Sequence, residues 1–181
     1  MNNQYPRIIN NGHGDEITFL GVRMVRGRER LEVKGVVDPG AGAPMHVHHQ
    51  QEEVFIIVNG KMETQLFGEE PKTYSAGDKV VFPAGTPHRF INPGPDKLEM
   101  EGWVEPANNV EFFLSEIYRS SVENGGRPGL FDSAWLLNRY RSEFDMLVIP
   151  ALVKKFIFPV VRWIGTLAGK ANRFRNAPDP L

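Results

Sequence analysis

His46, His48 and Glu53 fall within eight residues, and His88 follows a Pro-x-Gly turn further along the chain. These four residues, drawn from segments 40–60 and 77–92, offer three imidazoles and one carboxylate. Imidazole nitrogen combined with carboxylate oxygen suits one divalent first-row transition metal, Fe, Mn, Co, Ni or Zn, whereas an all-oxygen shell would point to Ca or Mg. A metal held on one side by four protein groups keeps one or two positions open. It could then act as a Lewis acid, activate water, or bind O2 beside a substrate.

Such chemistry needs elements that aim the four side chains at one point. In an extended segment alternate side chains share a face, so His46 and His48 project together while Val47 and His49 point the other way. The run Glu53-Val54-Phe55-Ile56-Ile57-Val58 is rich in β-branched and aromatic residues and reads as a buried strand opened by Glu53. Asn59-Gly60 and the alternation of Met62, Thr64 and Leu66 then predict a tight hairpin. Gly77-Asp78 and Pro83-Ala84-Gly85 bracket a strand over 79–82, which places His88 at the start of the next one.

These residues resemble the cupins, a family of small β-barrel proteins. The pattern Gly-x5-His-x-His-x4-Glu-x6-Gly is met by Gly40, His46, His48, Glu53 and Gly60, and Gly-x5-Pro-x-Gly-x2-His-x3-Asn by Gly77, Pro83, Gly85, His88 and Asn92. The resemblance implies an all-β fold, the double-stranded β-helix or jelly-roll barrel, over residues 17–105. It also implies that His46, His48, Glu53 and His88 are the metal ligands. Glu52 is the alternative acid, since some members space it one residue closer; the six residues between Glu53 and Gly60 favour Glu53. His49 faces away from its neighbours and His13 lies in a Gly/Asn-rich stretch, so both read as solvated polar residues.

Strand parity puts Phe55 and Ile57 on the face of Glu53 and Phe90 on that of His88, giving Phe55, Ile57 and Phe90 as the lining of an apolar cavity with an aromatic wall. Met62 and Trp103 fit either lining or core, and Asn92 reads as a turn former. No residue beyond the ligands stands out as a general acid or base. Cupins with this ligand pattern include dioxygenases, oxalate-converting enzymes, sugar isomerases and ligand sensors. The apolar surround favours a metal-dependent oxidoreductase of dioxygenase type acting on a small apolar or aromatic molecule. A non-catalytic module that binds or senses a metal and a small ligand is the alternative, and an interaction protein using its apolar tail is a third reading.

The chain has 181 residues, 21 basic and 22 acidic, and no cysteine. Nucleic acid is not expected as a partner, because no basic run marks a footprint, and thiolate ligation is excluded. Residues 1–16 form a polar leader without an apolar core, so a cytoplasmic location is expected. Beyond the barrel, residues 106–181 form a helical C-terminal extension. Val110, Phe113, Leu114, Ile117 and Tyr118 follow a helical stripe, and a second helix is expected to start near Asp132 or Ser133. Residues 146–168 read as a helix apolar nearly all round, with Lys155, Arg162, Thr166 and Gly169 along one narrow polar line. A membrane span would bury Lys154 and Lys155, which disfavours it. Packing against the barrel or a second subunit is the leading reading, with a homodimer favoured, and peripheral contact with a membrane surface is the alternative. The Pro-rich 176–181 is expected to fray.

Overall fold

In the computed structural model, which describes residues 4–181, the turn signals separate a series of short antiparallel strands. These are β1 (Arg7–Asn10), β2 (Asp15–Val25), β3 (Arg28–Val37), β4 (His46–His48), β5 (Glu52–Asn59), β6 (Lys61–Leu66), β7 (Lys72–Ser75), β8 (Lys79–Phe82), β9 (His88–Ile91) and β10 (Leu98–Glu105). Helices α1 (Val110–Glu123) and α2 (Leu130–Arg139), strand β11 (Phe144–Met146) and helix α3 (Phe158–Leu167) follow. One sheet has the order β1-β2-β3-β10-β5-β8 and the other β11-β4-β9-β6-β7. The two close into the jelly-roll barrel.

Alternation decides which side chains fill it. On β10, Leu98, Met100, Gly102 and Val104 are buried while Glu99 and Glu101 face solvent. The inward residues divide between two apolar clusters. Val37, Phe55, Ile57, Met62, Val80, Phe82, Phe90, Leu98 and Met100 fill one part of the barrel. Phe19, Leu31, Val33 and Val104 belong to the other, which is completed by Val110 and Phe113 of α1, Phe131, Ala134, Leu136 and Leu137 of α2, and Phe144 of β11. Each such large side chain contributes about 1.5–3 kcal/mol when fully buried.

Several expectations change. Asn59-Gly60 does not make a hairpin, because β5 and β6 lie in different sheets. Gly60 (φ +81°) is the corner at which the chain crosses over, and a Cβ there would lie 2.6 Å from the Lys97 carbonyl oxygen. The polar leader is not separate from the sheet: β1 pairs with β2, with Arg7 opposite Phe19 and Ile9 opposite Ile17, and Ile9 packs on the core. Residues 1–3 of that leader lie outside the described residues. Helix α2 begins at Leu130 with Gly129 at its N-cap, and Asp132 instead accepts from Arg173 at 2.9 Å.

Residues 146–168 are not one uniform helix. Met146 belongs to β11, and the helix runs from 151 to 167 with a wide π-type turn at Val153–Ile157. Pro159 has no N–H and its ring crowds the carbonyl four residues earlier, so the turn before it opens. The end of the chain is also held: Tyr140 Oη donates to the Pro178 carbonyl at 2.8 Å and the Leu181 N–H donates to Glu143 at 3.2 Å. Among the described residues no helix is long and apolar enough to cross a membrane.

Candidate metal centre

His46 and His48 sit two apart on β4 and His88 opens β9, the neighbouring strand, with His46 and His88 directly opposite one another. Glu53 reaches in from β5 of the facing sheet. One donor atom from each of the four lies within 4.8 Å of the others. The ring centroids of His46 are 4.4 Å from His88 and 5.1 Å from His48. Glu52, one residue earlier, is exposed on the outer face, and His49 and His13 are exposed as well.

Backbone carbonyls orient two of the imidazoles. His46 donates through Nδ1 to the Pro44 carbonyl at 2.7 Å, which turns its Nε2 lone pair inward. His88 does the same through Nδ1 to the Thr86 carbonyl at 2.8 Å, and its Nε2 is 3.0 Å from Oε2 of Glu53. The Thr86 carbonyl can only accept, so Nδ1 carries its proton and Nε2 faces the Glu53 carboxylate, with a proton shared between them. A cation in place of the Nε2 proton satisfies the same nitrogen and the same carboxylate oxygen. His48 Nδ1 is buried with no hydrogen-bond partner. The donor set thus fits a divalent transition metal, which these four residues would hold.

Electrostatics point the same way. Burial, reinforced by the charges of His48 and His88, pushes the His46 pKa down to about 3, and burial lowers that of His48. Both rings are neutral at pH 7, the form that ligates. Burial alone would raise Glu53, but the hydrogen bond from His88 and the charges of His48, His88 and His46 outweigh it and hold the carboxyl at about 2. Glu53 is therefore ionised.

Phe55, Ile57 and Phe90, expected as cavity lining, are buried in the barrel cluster, where the Phe55 and Phe90 rings meet at 5.5 Å. Phe82 stacks flat on His88 at 3.8 Å and fixes its plane. Met62 is core, and Trp103 lies outside the barrel under Arg30, 4.4 Å from its guanidinium. Asn92 closes the loop after β9, donating to the carbonyls of Val37 and Asp96 and accepting from the Gly94 N–H.

The neighbours that sequence reasoning missed come from the extension. Strand β11 pairs antiparallel with β4, Phe144 opposite His48 and Met146 opposite His46. The Phe144 ring meets His48 edge-on at 5.4 Å and Phe113 at 4.7 Å. Beside it, Glu143 is fully buried and accepts from the Asn109 backbone N–H at 3.1 Å and its side-chain amide at 2.6 Å, while its carbonyl accepts from the His49 N–H. Three residues between helices carry no pattern that announces a strand. Burial, and then the charges of Asp15 and Glu53, raise the pKa of Tyr118 on α1. Two surface clefts, of about 200 Å³ beside Asp15 and Asp38 and about 420 Å³ between Phe131 and Arg173, include none of the four converging residues.

Residues 33–104 match the family model described as a cupin domain. The chain is 32% identical over 92 residues to quercetin 2,3-dioxygenase of Bacillus subtilis, covering 47% of this chain and 27% of that enzyme. It is 33% identical over 67 residues to mannose-1-phosphate guanylyltransferase 2 of Escherichia coli O157:H7, covering 36% of this chain and 14% of that one. The chain thus spans about a quarter or less of the curated relatives it matches. The crystal structure of an RmlC-like cupin from Shewanella frigidimarina is 24% identical and covers 62% of this chain and 93% of its own, with a TM-score of 0.49.

Proposed function

The chain belongs to the cupins through the domain at residues 33–104, and from that premise we propose that His46, His48, Glu53 and His88 ligate one divalent transition metal used in dioxygenase-like oxidation of a small apolar or aromatic molecule. The observation that carries the reading is the convergence of three imidazoles and one ionised carboxylate within 4.8 Å. When bound, the metal supplies Lewis acidity and, if it is Fe, Mn, Co or Ni, an electron-transfer partner for O2.

The protein's own part is orientation and exclusion of water. The carbonyls of Pro44 and Thr86 set the tautomers of His46 and His88, and Phe82 and Phe144 wall the rings. An aromatic or aliphatic molecule suits this surround better than a phosphorylated sugar. The basic residue next to His88, Arg89, is engaged by Gln65 at 2.7 Å and Glu63 at 3.7 Å. Likeness to quercetin 2,3-dioxygenase over 92 residues supports the oxidative reading.

One observation favours a second reading, a metal and small-ligand binding module without turnover. Helices α1 and α2 and Phe144 pack directly on the inner faces of β2, β3 and β10, which restricts access. Oxygen uptake by protein loaded with each metal in turn, against flavonols, catechols and diketones, decides between them. Uptake with one substrate class supports the enzyme; metal-loaded protein that binds these molecules without consuming O2 supports the module.

A further inference from the structure

The helix over 151–167 is docked by one side only. Phe158 and Gly165 are buried, and Gly165 lies so close to Phe131 that a Cβ would stand 2.1 Å from its ring. Phe174 stacks on Trp135 at 4.2 Å and closes the segment. The opposite side is an unbroken apolar ridge: Leu152, Phe156, Val160, Trp163, Ile164 and Leu167 recur at helical spacing, with Leu152 69%, Trp163 66% and Leu167 71% exposed. A ridge of this length on a folded surface marks a contact.

Charge says what kind. Between residues 147 and 178 the sequence has Lys154, Lys155, Arg162, Lys170, Arg173 and Arg175 and no Asp or Glu, in a chain whose net charge is −1. Lys154 pairs with Asp145 and Arg173 with Asp132 and Glu123, while Lys155, Lys170 and Arg175 have no acidic partner among the described residues. The Lys155 ammonium lies 5.4 Å over the Phe156 ring, a stem laid along apolar surface with its charge beside it. A two-fold contact between copies through this ridge would bring like charges together, because an isologous interface apposes the same patch.

We propose that the Leu152–Leu167 ridge docks this protein on an anionic membrane surface, the aromatic and aliphatic side chains entering the acyl boundary and Lys155, Lys170 and Arg175 meeting lipid phosphates. This surface is independent of the metal centre. The helix lies in the interface plane and does not cross.

The test is co-sedimentation of the full chain with phosphatidylcholine vesicles with and without phosphatidylserine. Binding is expected with the serine lipid, to fall at high salt, and to drop about fivefold for each basic charge removed, so about 25-fold for K155Q/K170Q. Trp163→Glu and Phe156→Glu should abolish it with circular dichroism and metal content unchanged. A wild-type arm needs no variant: lipids brominated in their acyl chains should quench tryptophan emission. No sedimentation with either vesicle, or binding that survives Trp163→Glu, overturns the proposal. So does a dimer that Trp163→Glu dissociates in a protein that ignores vesicles.

Discussion

Phe144→Ala tests whether the C-terminal extension is part of the scaffold that holds the ligand strand. The ring is buried, meets His48 at 5.4 Å and Phe113 at 4.7 Å, and sits on the strand that pairs with β4. Truncating a buried Phe costs about 3–5 kcal/mol, of which each aromatic contact accounts for about 0.5–1.5. For a chain of this size each kcal/mol lowers Tm by about 2–4 °C, so the metal-free variant should melt about 6–20 °C lower. Backbone pairing of β11 survives the change, but the wall behind His48 is gone, and metal affinity should fall about 10–100-fold, as when other supporting contacts of a ligand are removed. The assay is a circular dichroism melt followed by metal titration against a chromophoric chelator. Val148→Ala, at an exposed side chain just after β11, should stay within about 0.5 kcal/mol. If Phe144→Ala melts within about 2 °C of wild type, or loses stability with no change in metal affinity, the extension does not position the site.

Burial, opposed by the Asn11 hydrogen bond and aided by Asp38, raises the Asp15 pKa from 3.8 to about 6. The fold then holds that proton more tightly than the unfolded chain, so stability should fall by about 3 kcal/mol as pH rises from about 4 to 6 and level off above; denaturant titrations of Asp15→Asn should lack that slope. Gly165→Ala would normally stabilise a helix by about 0.5–1 kcal/mol, but its Cβ meets Phe131 at 2.1 Å, so a net loss of about 1–3 kcal/mol is expected; a raised melting temperature would show that α3 is not seated on α2. Metal at 100 times its Kd should add about 2.7 kcal/mol, or about 5–11 °C. That shift should be missing in the His48→Ala/Glu53→Ala double variant; a shift of the same size there would place the ion elsewhere.

The converging residues were legible because their positions rest on local rules. Strand parity puts His46 and His48 on one face, and Gly85 and Pro83 turn the chain into His88. The spacing to Gly60 that the resemblance implies favours Glu53 over Glu52, and the exposure of Glu52 beside a Glu53 side chain only 13% exposed agrees with it. What was not legible is non-local. Asn59-Gly60 has the chemistry of a hairpin, yet a residue 37 positions on, Lys97, supplies the backbone that needs Gly60 bare. Strand β11 is three residues long, too short for periodicity to register, and exists because β4 offers a free edge. An apolar helix over 146–168 was visible, but its start at 151, after Met146 pairs in β11, and Gly165's seat against Phe131 depend on what β4 and α2 present to it.

The most direct measurement is elemental analysis of untagged protein purified without chelator or added metal. Close to one transition-metal ion per chain is expected, and none in the His48→Ala/Glu53→Ala protein of unchanged circular dichroism. Wild-type protein that stays empty after supplementation with Fe, Mn, Co, Ni and Zn, or a double variant that retains its ion, would contradict it.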